Sequence, residues 1–520
     1  MKPPLPGRSA ILIASFPFGR ARKPVQCGLV ALLLGWVLVL AGCGRSGQVP
    51  QAETQQRNAA ELMEQAVEAR EWALAEEYSN EALIERPDDP DLITQAAKIA
   101  AFRDRKREAA FMLADAARLA NYEPASRVDL AIRGLTQVGE IYPAIELLEA
   151  SLQLYPDRDE HRQLLVGFWN EVQRTEKIAV HLQKLIEHRH FNLALLVSTT
   201  ETSSRRLSEN TADRLQELNP DDHRPRLAEA FLFLYRQNLS EAAQVLQEIL
   251  QHHPDFAPAH AMYGQVLAHS GRWSELPEWL EQAPRKCNEF ADYWLTLGDY
   301  AMTRQDSASA VRAFWEATQR DPNRSLAWDR LRLAAQRLQT GDSPYASRVS
   351  ETLLQAITDH VDNLLTVRDS FNDFTGNSPE SQTAAAQLAR KLLAAGRTWE
   401  AEAWSALAMS LDQDPDSGLA RLREEIVTKL RRDPSWFARA TPALTIDFSF
   451  LPSPRIESDA EVPANNLVIP SVASHDHIRM TEQSDRWGLK TIGDGNDPSD
   501  PRLAPLIRST GAGGGAIDYD

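Results

Sequence analysis

The stretch ADYWLTLGDYAMTRQDSASAVRAFWEATQRDPNR, Ala291 to Arg324, places the strongest constraint on how this chain folds. Trp294, Leu297 and Ala301 recur at three- and four-residue spacing, which gathers side chains on one face of an α-helix, and Ala310, Phe314 and Ala317 do so again further on. Between the two runs Asp306 or Ser307 offers a side-chain oxygen to a helix N-terminus, and Pro322 follows the second run, where a helix must end. Two amphipathic helices are expected, with Gly298 and Ala310 small where they cross. Neither can bury its apolar stripe alone, so neighbouring copies are required.

Such copies are present. Pro220 and Pro254 stand 34 residues apart, and Pro254 and Pro322 stand 68 apart. One period before Trp294, Leu297 and Gly298 lie His260, Tyr263 and Gly264; the glycine and a large apolar residue persist while the tryptophan is lost. Upstream, Leu62, Ala66, Ala75, Tyr78, Ala82 and Pro87 fit the same template, as do Ala131, Leu135, Ala144, Leu148 and Pro156. Downstream, Trp328 and Leu331 open another copy, and Gly396, Ala401, Trp404, Ala408 and Pro415 follow with altered spacing. Phe191 to Arg224 and Thr340 to Pro379 fit least well, as degenerate repeats or as interruptions of the array.

The W-x-x-L-G and A-x-x-x-F spacings, closed by Pro322, resemble the tetratricopeptide repeat. The expected fold class is all-α: a tetratricopeptide-repeat α-solenoid of roughly ten helix pairs over residues 51–432, followed by an irregular tail with short β-strands. The resemblance implies a curved groove, lined by the first helix of each pair, that binds a peptide or another protein. Phe231, Gln265 and Asp299 lie one period apart and are the nominated groove contacts, ordinary solvated positions being the alternative.

The N-terminus reads as an address. Arg20, Arg22 and Lys23 precede CGLVALLLGWVLVLAG, Cys27 to Gly42, which is short against the ~20 apolar residues that a membrane-spanning helix needs. The following Leu40-Ala41-Gly42-Cys43 resembles a bacterial lipobox. This resemblance implies a signal peptide over residues 1–42, lipidation of Cys43 as the first mature residue, a linker over 43–50, and anchoring by several acyl chains, with Gly44 favouring the outer membrane.

Charge narrows the partners. The chain of 520 residues carries a formal −17; Met1 to Gly42 holds five Lys/Arg and no acid, which leaves −22 for the rest. An acidic surface repels phosphate backbones, and no cluster of Lys/Arg interleaved with aromatics stands out, so no nucleic-acid partner is expected. Cys27, Cys43 and Cys287 are too scattered for a disulfide framework or a zinc site.

No catalytic pattern emerges, and the protein is expected not to be an enzyme. The runs EHRH at Glu187 to His190 and HH at His252 and His253 fall at ends of repeat helices, where histidine complements the helix C-terminus, and SHDH at Ser474 to His477 falls in a loop or short strand; none has a visible partner. Cys287, beside Arg285 and Lys286, lacks an identifiable His base or second thiol and reads as a loop cysteine. In GDGNDPSD, Gly493 to Asp500, Pro498 and a missing bidentate glutamate spoil a calcium loop.

After Arg432 prolines multiply and the helical period stops. In PALTIDFSF, Leu444, Ile446, Phe448 and Phe450 alternate with polar residues, the pattern of a half-buried strand, and Leu467 to Ile469 is a second candidate. IRMTEQSDRWGL, an Asp/Pro-rich loop, and TGAGGGAIDYD complete the tail. That order resembles the opening of the FG-GAP/VCBS β-propeller of ASPIC/UnbV proteins, whose bacterial members carry a lipoprotein signal and tetratricopeptide repeats in front. The resemblance implies that residues 433–520 are a linker with short strands and a truncated start of a propeller. It also implies that Asp518 and Asp520 are the first ligands of an incomplete cation loop, with calcium as the cofactor if the propeller is complete and none otherwise.

The expected function is a membrane-anchored protein-interaction scaffold. The alternative is an accessory part of an envelope enzyme whose chemistry lies beyond residue 520 or in a partner.

Overall fold

The structure is a computed structural model, and it describes residues 58–200, 209–438 and 441–456. Among the described residues twenty-one α-helices follow one another. They run α1 (Ala59–Glu68) and α2 (Trp72–Glu85), α3 (Pro90–Phe102) and α4 (Lys106–Leu119), α5 (Ala125–Gln137) and α6 (Ile141–Leu154), α7 (Asp159–Glu171) and α8 (Ile178–Glu187), α9 (Leu193–Thr200) and α10 (Glu209–Leu218). The series continues with α11 (Leu227–Tyr235) and α12 (Leu239–His252), α13 (Ala257–His269) and α14 (Leu276–Gln282), α15 (Ala291–Thr303) and α16 (Ser307–Arg320), α17 (Ser325–Thr340) and α18 (Glu351–Asn377), α19 (Gln382–Ala394) and α20 (Thr398–Ala408), and ends at α21 (Leu419–Arg432). The fold is an all-α repeat solenoid.

The period is carried by the first helices. Ala125, Asp159, Leu193 and Leu227 begin α5, α7, α9 and α11 at intervals of 34 residues, and Ala257, Ala291 and Ser325 begin α13, α15 and α17 at the same interval. The irregular-looking segment Phe191 to Arg224 thus keeps the register, although α9 packs against the distant α20. In the other irregular segment, the 27-residue α18 replaces a second helix of ordinary length.

The turns inside the pairs share one device. Arg70, Asp104, Gly139, Gln173, Gln237, Gly271, Gln305 and Gly396 all have positive φ, and each precedes a residue whose N–H reaches back five positions, as Asp306 N does to Ala301 O at 3.0 Å and Arg272 N to Leu267 O at 2.9 Å. This left-handed stop ends the first helix and satisfies its last carbonyls. Asp306 then caps α16, its Oδ1 accepting from Ser309 N at 3.1 Å.

Inside the pairs, backbone meets ring. A Cβ at Gly298 would lie 2.4 Å from Phe314 Cε1, and one at Gly264 would lie 2.4 Å from Trp279 Cζ2. Ala310, Phe314 and Ala317 are fully buried and Leu297 nearly so.

The array also turns back on itself. Arg189, in the turn after α8, donates to both carboxylate oxygens of Glu402 on α20, at 2.6 and 2.7 Å. Trp404 Nε1 donates to Thr200 Oγ1 at 2.8 Å, and Arg397 Nη2 donates to Thr200 O at 2.5 Å. Arg397 and Glu400 form a buried ion pair at this junction.

Beyond α21 the chain forms a strap, and here the strand expectation is corrected. Pro442–Thr445 is a 3-10 turn that leads into extended backbone at Ile446, and Leu451 N closes a second turn on Phe448 O at 3.1 Å; among the described residues none belongs to a β-strand. The alternation holds from Thr445 to Ser449, where Ile446 is half-buried and Phe448 buried between exposed neighbours, but not at its ends: Leu444 sits in the turn beside buried Ala443, and Phe450 is exposed. Alternation reports that one side of an extended chain is covered and is silent on what covers it; here helices do. Leu467 to Ile469, Asp518, Asp520, Cys43 and the SHDH and GDGNDPSD runs lie outside the described residues. No helix among the described residues is long and apolar enough to cross a membrane.

Candidate functional site

The structure places two of the three nominated groove contacts in the interior. Gln265 on α13 is buried and its Nε2 donates to Thr296 Oγ1 on α15 at 3.1 Å. Asp299 on α15 is buried and pairs with Arg330 on α17 at 3.5 Å. Each engages a residue 31 positions further on, on the next first helix, so these positions join successive repeats and do not face solvent as expected. Phe231 belongs to the same series and packs in the cluster that contains Met262, but it stays partly exposed. The sequence period marks equivalent positions; it does not say whether a position faces its neighbour or the solvent.

Phe231 lines a groove of about 400 Å³ whose walls come from α11, α13, the start of α15, the α16–α17 turn and α18. One wall is apolar, with Leu227, Phe231, Leu234, Tyr235 and Met262; Leu326 joins from α17, and Leu364 and Leu365 from α18. Tyr235 is 60% exposed and Leu326 36%, so large apolar side chains face solvent inside a concavity. Sequence reasoning found Phe231 and missed Tyr235, one helical turn further along α11 and readable from its i, i+4 spacing.

Charged residues line the groove as well, and two of its arginines are paired. Arg324 and Asp292 form an ion pair at 2.6 Å, and Arg320 pairs with Glu316. Burial works to lower the Arg324 value, yet Asp292 beside it prevails and holds the guanidinium above its ordinary range. Burial raises Asp321 against the pull of Arg324. The Asp299 carboxyl is pushed up to about 6 by burial, which Arg330 and Arg324 only partly oppose. His269 is lowered by burial, reinforced by Arg330 and Arg324.

A second cavity, of about 420 Å³, lies at the junction of α8, α9 and α20 and shares Glu176, Arg320, Asp321 and Asn323 with the groove. The strap residues Trp436, Phe437 and Leu444 line its other side.

Of the three histidine runs, the two that fall on described residues do have partners, contrary to the sequence reading. His188 and His190 both turn Nδ1 toward the buried Asp159 carboxylate, at 2.9 and 2.5 Å. Burial would raise the Asp159 value, but those two hydrogen bonds hold it below the usual carboxylate range. His252 stacks on His223 with ring centroids 3.7 Å apart, and His253 lies 3.5 Å from Asp222. Both acids stand about one repeat before their histidines, which is the spacing that would have found them. Among the described residues no group of three or more His, Cys, Asp or Glu is arranged to hold a metal ion. Cys287 is buried in a 3-10 turn and burial pushes its thiol up to about 12, which leaves no thiolate at neutral pH.

No family model matches the chain, and no curated protein matches it. Solved structures to which it is similar include a tetratricopeptide repeat protein from Parabacteroides merdae, 16% identical over 54% of this chain and 99% of that one, with a TM-score of 0.22. The APC/C hetero-tetramer Cut9–Hcn1 is 13% identical over 72% of this chain and 97% of that one, with a TM-score of 0.29. Yeast Tom70 is 13% identical over 74% of this chain and 91% of that one, with a TM-score of 0.25. Likeness at this level carries nothing about function.

Proposed function

We propose that the chain is a membrane-anchored, non-enzymatic scaffold that binds an extended segment of another protein in the groove between α11 and α18. The observation that carries this reading is the split character of the groove: Phe231, Tyr235 and Leu326 are open to contact, while Arg324 and Arg320 are already held by Asp292 and Glu316. Apolar side chains held at the mouth of a concavity gain by burial against a partner, whereas paired charges set orientation and add little net affinity. The binding partner is therefore expected to present apolar anchors rather than a run of charge.

The anchor in this reading is Cys43, with the repeats on a bacterial outer membrane. Metabolic labelling with a palmitate analogue tests it: label is expected on the unaltered chain and absent from Cys43→Ala, and label surviving that substitution rules the anchor out. For the groove, the detergent-solubilised full chain is compared with Phe231→Ala/Tyr235→Ala for capture of envelope proteins. A partner held by the first and released about tenfold more readily by the second supports the reading; capture by both alike counts against it.

A further inference from the structure

We infer that the outward face of α16, α18 and α20 is a second peptide-docking site, filled in this structure by the chain's own strap and open to competition by a partner segment of the same apolar pattern, Leu-x-Ile-x-Phe-x-x-Leu.

The array side of this contact is built from donors aimed at main chain. Trp315 Nε1 on α16 donates to Ile446 O at 2.8 Å, Arg312 donates to Ser449 O and, at 3.4 Å, to Leu451 O, and Trp399 Nε1 on α20 donates to Pro434 O at 2.8 Å. Carbonyls are common to every peptide, so these bonds fix a segment in place without reading its sequence; the reading is done by side chains. Phe448 and Leu451 enter the core cluster, Ile446 and Leu444 lie half-buried on it, and Arg348 stands 4.3 Å over the Phe450 ring.

Two features make the strap displaceable rather than integral. The first is that it holds on with little backbone pairing. Among the described residues it builds no ladder; it is tied main chain to main chain to the array by Ala438 N donating to Gly396 O at 2.8 Å, and Asp447 and Phe450 remain exposed. The second is that the strap uses a different edge of α16 from the one that holds the repeat together. Ala310, Phe314 and Ala317 face the pair's interior, whereas Arg312 and Trp315 face the strap. Removing the strap leaves the α15–α16 contact, Gly298 on Phe314, intact. The outward face of a second helix is ordinarily solvated, as it is on α4 and α12; on α16 it is covered because the strap lies there.

The test uses a fluorescein-labelled synthetic peptide of residues 441–456 and the full chain, with anisotropy as the readout. A tethered segment competes at an effective concentration of about millimolar, so the peptide should bind the strap-releasing Phe448→Asp/Leu451→Asp chain about 100-fold more tightly than the unaltered chain. In that released background, Arg312→Ala/Trp315→Phe should weaken it about tenfold. Equal binding to released and unaltered chains, or none to a released chain whose far-UV circular dichroism is unchanged, overturns the inference. A readout on the unaltered chain covers the case in which the released chain loses helix. Millimolar peptide should then speed hydrogen exchange at 446–451 while α15 and α16 stay protected, and an unchanged strap overturns the inference.

Discussion

His260 Nε2 lies 2.7 Å from the carbonyl oxygen of Pro254, and so makes with an imidazole the bond that a tryptophan makes in the following repeats. Trp294 Nε1 donates to Asn288 O and Trp328 Nε1 to Pro322 O, each at 2.8 Å and each six residues back. The three side chains are one period apart, as are the three carbonyls. The sequence shows a lost tryptophan at 260; the structure shows a donor retained, which ties the start of each of these first helices to the turn before it.

That role fixes the imidazole as neutral with its proton on Nε2, since a carbonyl accepts and burial lowers the His260 value. His260→Ala is expected to cost about 1–3 kcal/mol, from a lost hydrogen bond and a partly filled site, read as a lower urea midpoint with unchanged slope. His260→Trp, which restores the repeat's donor, should recover most of it.

Gly298 sets a steric limit that the second prediction uses. Gly298→Ala drives a methyl into the Phe314 ring and is expected to destabilise by about 1–3 kcal/mol. Gly167, also helical, has nothing within 4 Å of an added Cβ, so Gly167→Ala should be neutral or stabilising by up to about 1 kcal/mol. Adding Phe314→Leu to Gly298→Ala should relieve part of the cost. Additive losses in thermal unfolding would contradict the contact.

Much of this fold is legible in the sequence because both helices of a pair write a three- and four-residue period around small crossing residues such as Gly298 and Ala310. The turns are less legible: five of the eight left-handed stops inside pairs are Arg, Asp or Gln, so a search for glycine passes them by. The return of α20 onto α8 and α9 is not legible at all. Arg189 and Glu402 are 213 residues apart, and a single charge pair at that distance leaves no periodic trace. The groove stands between these cases. Phe231 was found by counting periods, but counting could not tell that Gln265 and Asp299 face the next helix.

Acid and base limbs of stability should respond to two buried groups in opposite senses. Asp299, pushed up to about 6 from an ordinary ~3.9, keeps an extra proton in the folded state between those values. Its contribution is complete below about pH 4 and lost as pH rises through about 6. Asp299→Asn should therefore stabilise the chain at pH 7, by on the order of 1–3 kcal/mol, and flatten that limb. His360 is lowered to about 4 by burial against Trp328, so its neutral form supports the fold at neutral pH and stability falls as pH drops from about 6.5 toward about 4. His360→Phe should remove that second slope. Urea midpoints from pH 4 to 8 check both.

The junction between the returning ends predicts a change of compactness. Arg189 is 56% exposed while Glu402 is 4% exposed, so screening limits Arg189→Ala to about 1 kcal/mol, although Arg423 also approaches Glu402 at 3.4 Å. Arg189→Ala combined with Thr200→Val, which removes the acceptor of Trp404, should let α8 and α9 part from α20. The expected signal is faster hydrogen exchange at 189–200 and a larger radius of gyration by X-ray scattering, with the helical content retained. An unchanged radius together with unchanged exchange would show that the junction does not depend on these contacts.

The claim that the groove between α11 and α18 holds a protein segment is tested most directly by site-specific photo-cross-linking in intact cells that produce the protein. A benzophenone side chain is placed either at Tyr235, inside the groove, or at Val180, which is 63% exposed on α8 and does not line it. The account predicts a discrete cross-linked species from position 235 that fades when Phe231→Ala is added, and no such species from position 180. The same products from both positions, or none from 235 in a well-expressed protein, would contradict it.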